Sequence, residues 1–212
     1  MTLGTTPTAN VRAGQEVIEA YASTPSETPV NFLVRARAGS AVASSLLQKQ
    51  KDQFLLITGD LILEEKENTV LVIRTMNDAF QGQFINEANI TGRVCKDARA
   101  AEKSSCVSVA VNRYGKVDGQ SKEFTDYFQV RGYGKLKDRF DKLSKGSLVE
   151  LSGMVETRKN KEGNEYIELK TRFLQVHKKS AGGGGGPNPA PKSNAVGMDD
   201  SDFQGDDDMP FS

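Results

Sequence analysis

Residues 124–133 read FTDYFQVRGY, and their alternation decides the fold. In an extended strand, successive side chains point to opposite sides. Phe128 and Val130 then share one side, and Tyr127, Gln129, Arg131 and Tyr133 share the other. The apolar pair is expected to face a core and the polar and aromatic set to face solvent.

The neighbouring segments carry the same signature. Upstream, Ser105–Arg113 (SCVSVAVNR) alternates Cys106, Ser108, Ala110 and Asn112 against Val107, Val109 and Val111. A polar loop over Val117–Lys122, with its Asp-Gly pair, is expected to join it to the first segment. Phe84–Arg93 (FINEANITGR) reads as an earlier strand, with Gly92 at a bend or bulge. Downstream, Leu136, Phe140 and Leu143 follow an i, i+4, i+7 spacing, which predicts a short amphipathic helix closed by Gly146. Ser147–Thr157 (SLVELSGMVET) reads as a strand bent at Gly153, Lys159–Asn164 as a charged turn, and Glu165–Val176 (EYIELKTRFLQV) as the last strand. Three strands, a helix and two strands are the order of a five-stranded Greek-key barrel of the oligonucleotide-binding type.

The front of the chain echoes this pattern. Phe32–Arg35 (FLVR) resembles Phe128–Arg131 (FQVR), Ala41–Leu47 takes the place of the helix, and Phe54–Gly59 (FLLITG) resembles Leu148–Gly153 (LVELSG). Leu61–Arg74 then forms a hairpin like Val155–Arg172. The match needs a two-residue insertion, because Arg35 precedes Gly59 by 24 positions and Arg131 precedes Gly153 by 22. The expected fold is mainly β: a degenerate barrel, a second barrel of five strands and one short helix, and a disordered C-terminal tail. Met1–Pro29 would supply the first strands of the front unit. It reads poorly as strand, so that unit is expected to be incomplete.

Composition divides the chain further. Residues 181–195 (AGGGGGPNPAPKSNA) form a flexible linker without core-forming residues. Residues 199–212 (DDSDFQGDDDMPFS) hold six aspartates and an apolar knot of Met209, Pro210 and Phe211. Such a string cannot bury its charge, but it can dock into an apolar pocket ringed by Arg and Lys. The expected units are residues 1–83 for oligomerisation or docking, 84–180 for nucleic-acid binding, 181–198 as linker and 199–212 as recruiting tail. The formal net charge of zero conceals this division. Residues 84–180 carry 20 Lys and Arg against 13 Asp and Glu, whereas residues 181–212 carry one Lys against six Asp. A basic folded unit has polyanions as its first candidate partners.

Several function classes are disfavoured. With one His and two Cys, a zinc site is not credible, and no metal or other cofactor is expected. Cys95 and Cys106 read as reduced thiols. No catalytic constellation and no phosphate-binding glycine motif stands out, so the chain reads as a binding protein and not an enzyme. No apolar run spans a bilayer, and no secretory or transit signal opens the chain, so it is expected in the cytoplasm.

The binding surface follows from the outward set. Tyr127 and Tyr133 bracket Gln129 and Arg131, forming a platform on which bases can stack, and Tyr114 at the preceding hairpin tip adds a third ring. Arg113, Lys116, Lys135, Lys145, Arg158, Lys159 and Lys161 fall at strand ends or loops, where a phosphate track would run.

At these residues the chain resembles the bacterial single-stranded DNA-binding protein family. The resemblance rests on FINEANITGRV, VSVAVNR, TDYFQVRGYGKL, LSKGSLVELSGMVETRK and the tail's DDDMPF. It covers residues 84–178 and the tail. It implies a barrel that coats single-stranded DNA without sequence preference, four barrels per assembly, and a nucleoid-associated role in replication, recombination and repair in a bacterium or phage. It also implies that the tip, Asp206, Asp207, Asp208, Met209, Pro210 and Phe211, recruits partner enzymes. Tyr127 stands where the family often has a stacking Trp and Tyr133 where it has another aromatic residue. Lys135, Lys145, Arg158 and Lys159 match basic positions. The chain departs from the family at Asn160, where a further Trp is usual, and at Ser212, which follows the tip Phe. Tandem-barrel members imply a dimer of two-barrel chains, and a single barrel would imply a tetramer. The alternatives are an interaction scaffold and a binder of single-stranded RNA; no membrane partner is expected.

Overall fold

The computed structural model describes residues 1–177 apart from 27, 28, 65–67, 83, 118, 119, 160–162 and 164, with only the backbone at 68, 116 and 117. The Asp118–Gly119 pair, most of the expected turn over 159–164, Lys161, the Lys116 side chain, the linker and the acidic tail lie outside the described residues.

The front barrel contains β1 (Thr2–Leu3), β2 (Thr8–Arg12), β3 (Gln15–Ser23), β4 (Asn31–Arg37), α1 (Ala41–Leu47), β5 (Leu55–Glu64) and β6 (Asn68–Asp78). The second contains β7 (Ala88–Val94), β8 (Arg99–Ala100), β9 (Ser104–Val117), β10 (Gln120–Tyr133), α2 (Lys135–Phe140), β11 (Leu148–Lys159) and β12 (Glu165–His177). In the second sheet the order is β10-β12-β11-β7-β9-β8, and β10 also pairs with β9, so five strands close on themselves. The front order is β1-β3-β4-β6-β5, with β2 paired to β3. A Thr2–Phe54 bridge brings the first strand to the start of the fifth.

The repeat is exact in topology at its key positions. Residues 33–35 run parallel to 70–72 in the front barrel, as residues 129–131 do to 168–170 in the second. Both last hairpins shift register at the matched glycine, between Thr58 and Gly59 and between Ser152 and Gly153. A Cβ at Gly59 would lie 2.0 Å from the Val72 carbonyl oxygen, and one at Gly153 would lie 2.1 Å from that of Lys170. Only a residue without a side chain lets the strands approach so closely.

Three expectations about the opening strands of the two barrels need correction. Met1–Pro29 is not a defective start, because it forms β1, β2 and β3 and completes the barrel. Its strand signal was erased because Val17, Ile18, Glu19 and Ala20 are all buried in succession, leaving no alternation to read. The strand expected from Phe84 begins at Ala88. Ahead of it, the Asn86 amide donates to the Val155 carbonyl at 2.8 Å and accepts from the Val155 N–H at 3.0 Å, imitating a strand's backbone. Gly92 marks no bulge, since β7 pairs with β11 in unbroken register through it. It is small because the Ala110 carbonyl oxygen would lie 2.4 Å from any Cβ there.

Alternating burial builds the two cores. The second gathers Val107, Val109, Phe128, Val130, Phe140, Leu151, Leu169 and Leu174. The front gathers Leu3, Ile18, Phe32, Val34, Leu46 and Leu55, and it also takes in Val155 from β11. Ala88, Ile167 and Leu61 pack against both cores, so apolar contact joins the barrels.

Candidate nucleic-acid interface

The β9–β10 hairpin positions the predicted rings. Its pairing runs without interruption from Ser104 opposite Tyr133 to Val117 opposite Gln120. The polar loop expected over Val117–Lys122 is therefore mostly strand. Phe128 and Val130 are buried at 6% and 0% exposure, whereas Tyr127 is 57% exposed. Gln129, Arg131 and Tyr133 share the side of Tyr127 and are half-buried. Tyr114, 74% exposed, sits opposite Glu123 and so joins the same side. Ala110 and Ser108, opposite Tyr127 and Gln129, are small and leave the Tyr127 ring uncovered.

Arg113 is not brought to this side. It lies one residue from Tyr114 and so points the other way, pairing with buried Asp126 at 2.7 Å and stacking 4.5 Å from the centre of the Phe124 ring. Lys135 is exposed at the start of α2 and Lys145 in the turn before β11, where its backbone N–H donates to Asp97 at 2.9 Å. Lys159, at the end of β11, approaches Glu165 at 3.4 Å.

The floor between the rings is an ion-pair network centred on Glu168, which sequence reasoning missed. Its side chain has no exposed surface, although it sits opposite Gln129 on the outward side. Arg131 Nε donates to Glu168 Oε1 at 2.7 Å, and Arg158 Nε lies 3.4 Å from the same oxygen. The bond to Glu168 raises the Arg131 pKa further above its ordinary value, keeping it charged. Arg131 also reaches Ser104, and Arg158 donates to the Tyr133 hydroxyl. Glu156 pairs with Arg158 at 3.2 Å and with Lys170 at 3.0 Å, and Lys170 in turn lies 5.8 Å from the centre of the Tyr133 ring. Tyr166, Glu168 and Lys170 alternate along EYIELK, so the period-two rule applied to β12 as to β10 would have placed all three here.

The front barrel repeats the device. Arg35, at the position matching Arg131, is bound by buried Glu19 at 2.6 Å and by Glu64, and Arg12 closes on Glu19 at 2.9 Å. Cys95 and Cys106 are both free thiols. Cys106 stands opposite Arg131, and burial pushes its thiol pKa up.

Fold and surface together define a chain of two oligonucleotide-binding barrels in tandem, the second bearing an aromatic row on an open sheet. Residues 85–177, the span of the second barrel, match the Single-strand binding protein family. The crystal structure of wild-type single-stranded DNA binding protein from Thermus aquaticus is similar over 89% of this chain and 95% of its own, with a TM-score of 0.59 at 15% identity. A deletion variant of that Thermus protein is similar over 84% and 91%, with a TM-score of 0.58 at 15% identity. At such identity the likeness is one of fold, and it extends across both barrels. No curated protein matches the chain. Among the described residues no helix is long and apolar enough to cross a membrane.

Proposed function

We propose that this chain binds single-stranded DNA without sequence preference and protects it during replication, recombination and repair. The observation that carries the reading is the open row of Tyr114 and Tyr127, continued by half-buried Tyr133, along one side of a basic barrel of the matching family. Bases stack on such rings whatever their identity. Gln129, Arg131 and Arg158 form the floor between the rings. Lys135, Lys145 and Lys159 hold phosphates at its rim, whereas Arg113, paired with buried Asp126 on the other side of the hairpin, is not placed to join them. The front barrel serves assembly, two chains presenting four barrels. The tail, residues 199–212, recruits partner enzymes through Asp206–Phe211, and the linker gives it reach. The protein works in the cytoplasm, at the nucleoid.

The test is titration with dT oligomers, poly-U and duplex DNA at several salt concentrations. Tight, salt-dependent binding to dT above both others is expected. Preference for poly-U would favour the RNA-binding alternative, and no binding to any of them would leave an interaction scaffold.

A further inference from the structure

We propose that Glu168 sets the preference of this face for single strands over duplex, by holding Arg131 and Arg158 against the sheet and away from phosphates. The inference rests on the reading that the face binds single-stranded DNA. Its basis is the ion-pair geometry. Arg131 and Arg158 share one oxygen of a carboxylate that has no solvent exposure, and Arg158 and Lys170 are further engaged by Glu156. The centre of the face therefore presents rings whose neighbouring cations are already engaged in ion pairs, three cations on two carboxylates. The Lys135 and Lys145 ammonium groups are in no ion pair among the described residues and lie outside this centre.

This division favours one ligand. A duplex offers phosphates, but its bases are stacked on one another. A single strand offers base faces as well. A face that withholds its central guanidiniums gains little from the first and keeps its stacking with the second.

Stability alone is a poor account of Glu168. A buried ion pair is often no more stabilising than apolar packing of the same volume. Moreover, Glu168 Oε2 and Arg158 Nε are both buried with no hydrogen-bond partner among the described residues, so Glu168 attracts Arg158 by charge at 3.4 Å and hydrogen-bonds only Arg131. A carboxylate-locked arginine recurs at Arg35, although there the buried acid, Glu19, comes from β3, the antiparallel neighbour of β4, so what recurs is the lock on the matched arginine and not the strand that supplies it.

The experiment uses the full chain and Glu168→Gln, measuring affinity for a dT oligomer and for duplex DNA across a salt series, together with thermal unfolding. Freed guanidiniums should steepen the salt dependence on dT by about 0.7 in log–log slope for each phosphate gained. Duplex affinity should rise several-fold more than dT affinity. A folded Glu168→Gln protein with unchanged slope and unchanged duplex-to-dT ratio overturns the proposal. Arg158→Gln, at a half-exposed side chain, gives a second reading that does not depend on removing the buried acid. Its slope should equal that of the unaltered chain, because Arg158 holds no phosphate, and a slope shallower by about 0.7 overturns the proposal. Failure of the unaltered chain to bind dT would overturn the single-strand reading itself and this inference with it, a result distinguishable from binding with unmoved slopes.

Discussion

Tyr127 and Phe128 are neighbours in sequence and opposites in environment, one 57% exposed and the other 6%. Their truncations should therefore separate binding from folding. Tyr127→Ala is expected to weaken dT binding by about 1–3 kcal/mol with little change in stability. Phe128→Ala removes a ring from the core around Val109 and Val130 and should lower stability by about 3–5 kcal/mol. Equilibrium titration and urea unfolding of the two variants check both, and the reverse outcome would mean that β10 is out of register by one residue. At the same scale, Gly153→Ala drives a methyl group into the Lys170 carbonyl. It should cost at least about 1–3 kcal/mol in unfolding free energy, as over-packing does elsewhere. Gly59→Ala should behave alike in the front barrel.

At the scale of elements, the network of Arg12, Glu19, Arg35 and Glu64, one residue from each of β2, β3, β4 and β5, makes the front barrel sensitive to acid. Burial pushes the Glu19 pKa up, but bonds from Arg12 and Arg35 outweigh it and the net direction is down. The Glu64 pKa is lowered chiefly by its bond to Arg35. A carboxyl whose pKa is depressed on folding contributes stability that is fully present above its unfolded pKa and is lost as the pH falls through the folded one. The melting temperature should therefore fall as pH drops from neutral into and below the usual carboxylate range. The fall should be shallower in Glu19→Gln, which has no proton to gain there.

At the scale of the whole molecule, two complete barrels per chain halve the number of chains needed for four. The mass in solution, with and without dT oligomers, is expected to be that of two chains. A chain truncated to begin at Phe84 retains the aromatic row and should still bind dT. It should melt at a lower temperature than the full chain, because Val155 loses the front core that buries it. Deleting residues 199–212 should leave dT binding intact or slightly tighter, since six aspartates no longer compete for a basic surface. The same deletion should abolish recovery of partner enzymes, and Phe211→Ala should reproduce most of that loss if the ring is the apolar anchor.

The sequence by itself determined the strands whose two sides differ. FTDYFQVRGY and SCVSVAVNR alternate because one side packs and the other is wet, and the matched Gly59 and Gly153 marked a bend in each barrel, although the close backbone approach that requires glycine there was visible only in the structure. The order of strands, helix and hairpin followed, twice over. Tertiary structure decided what alternation cannot encode. β3 was illegible because Glu19 is buried as an ion pair among apolar neighbours, and its burial depends on Arg12 and Arg35, 7 and 16 positions away. Arg131 and Glu168 are 37 positions apart, and only the parallel pairing of β10 with β12 makes them partners. A sequence pattern reports which side a residue faces. Whether a charge on that side is free or already neutralised depends on which distant strand the fold lays beside it.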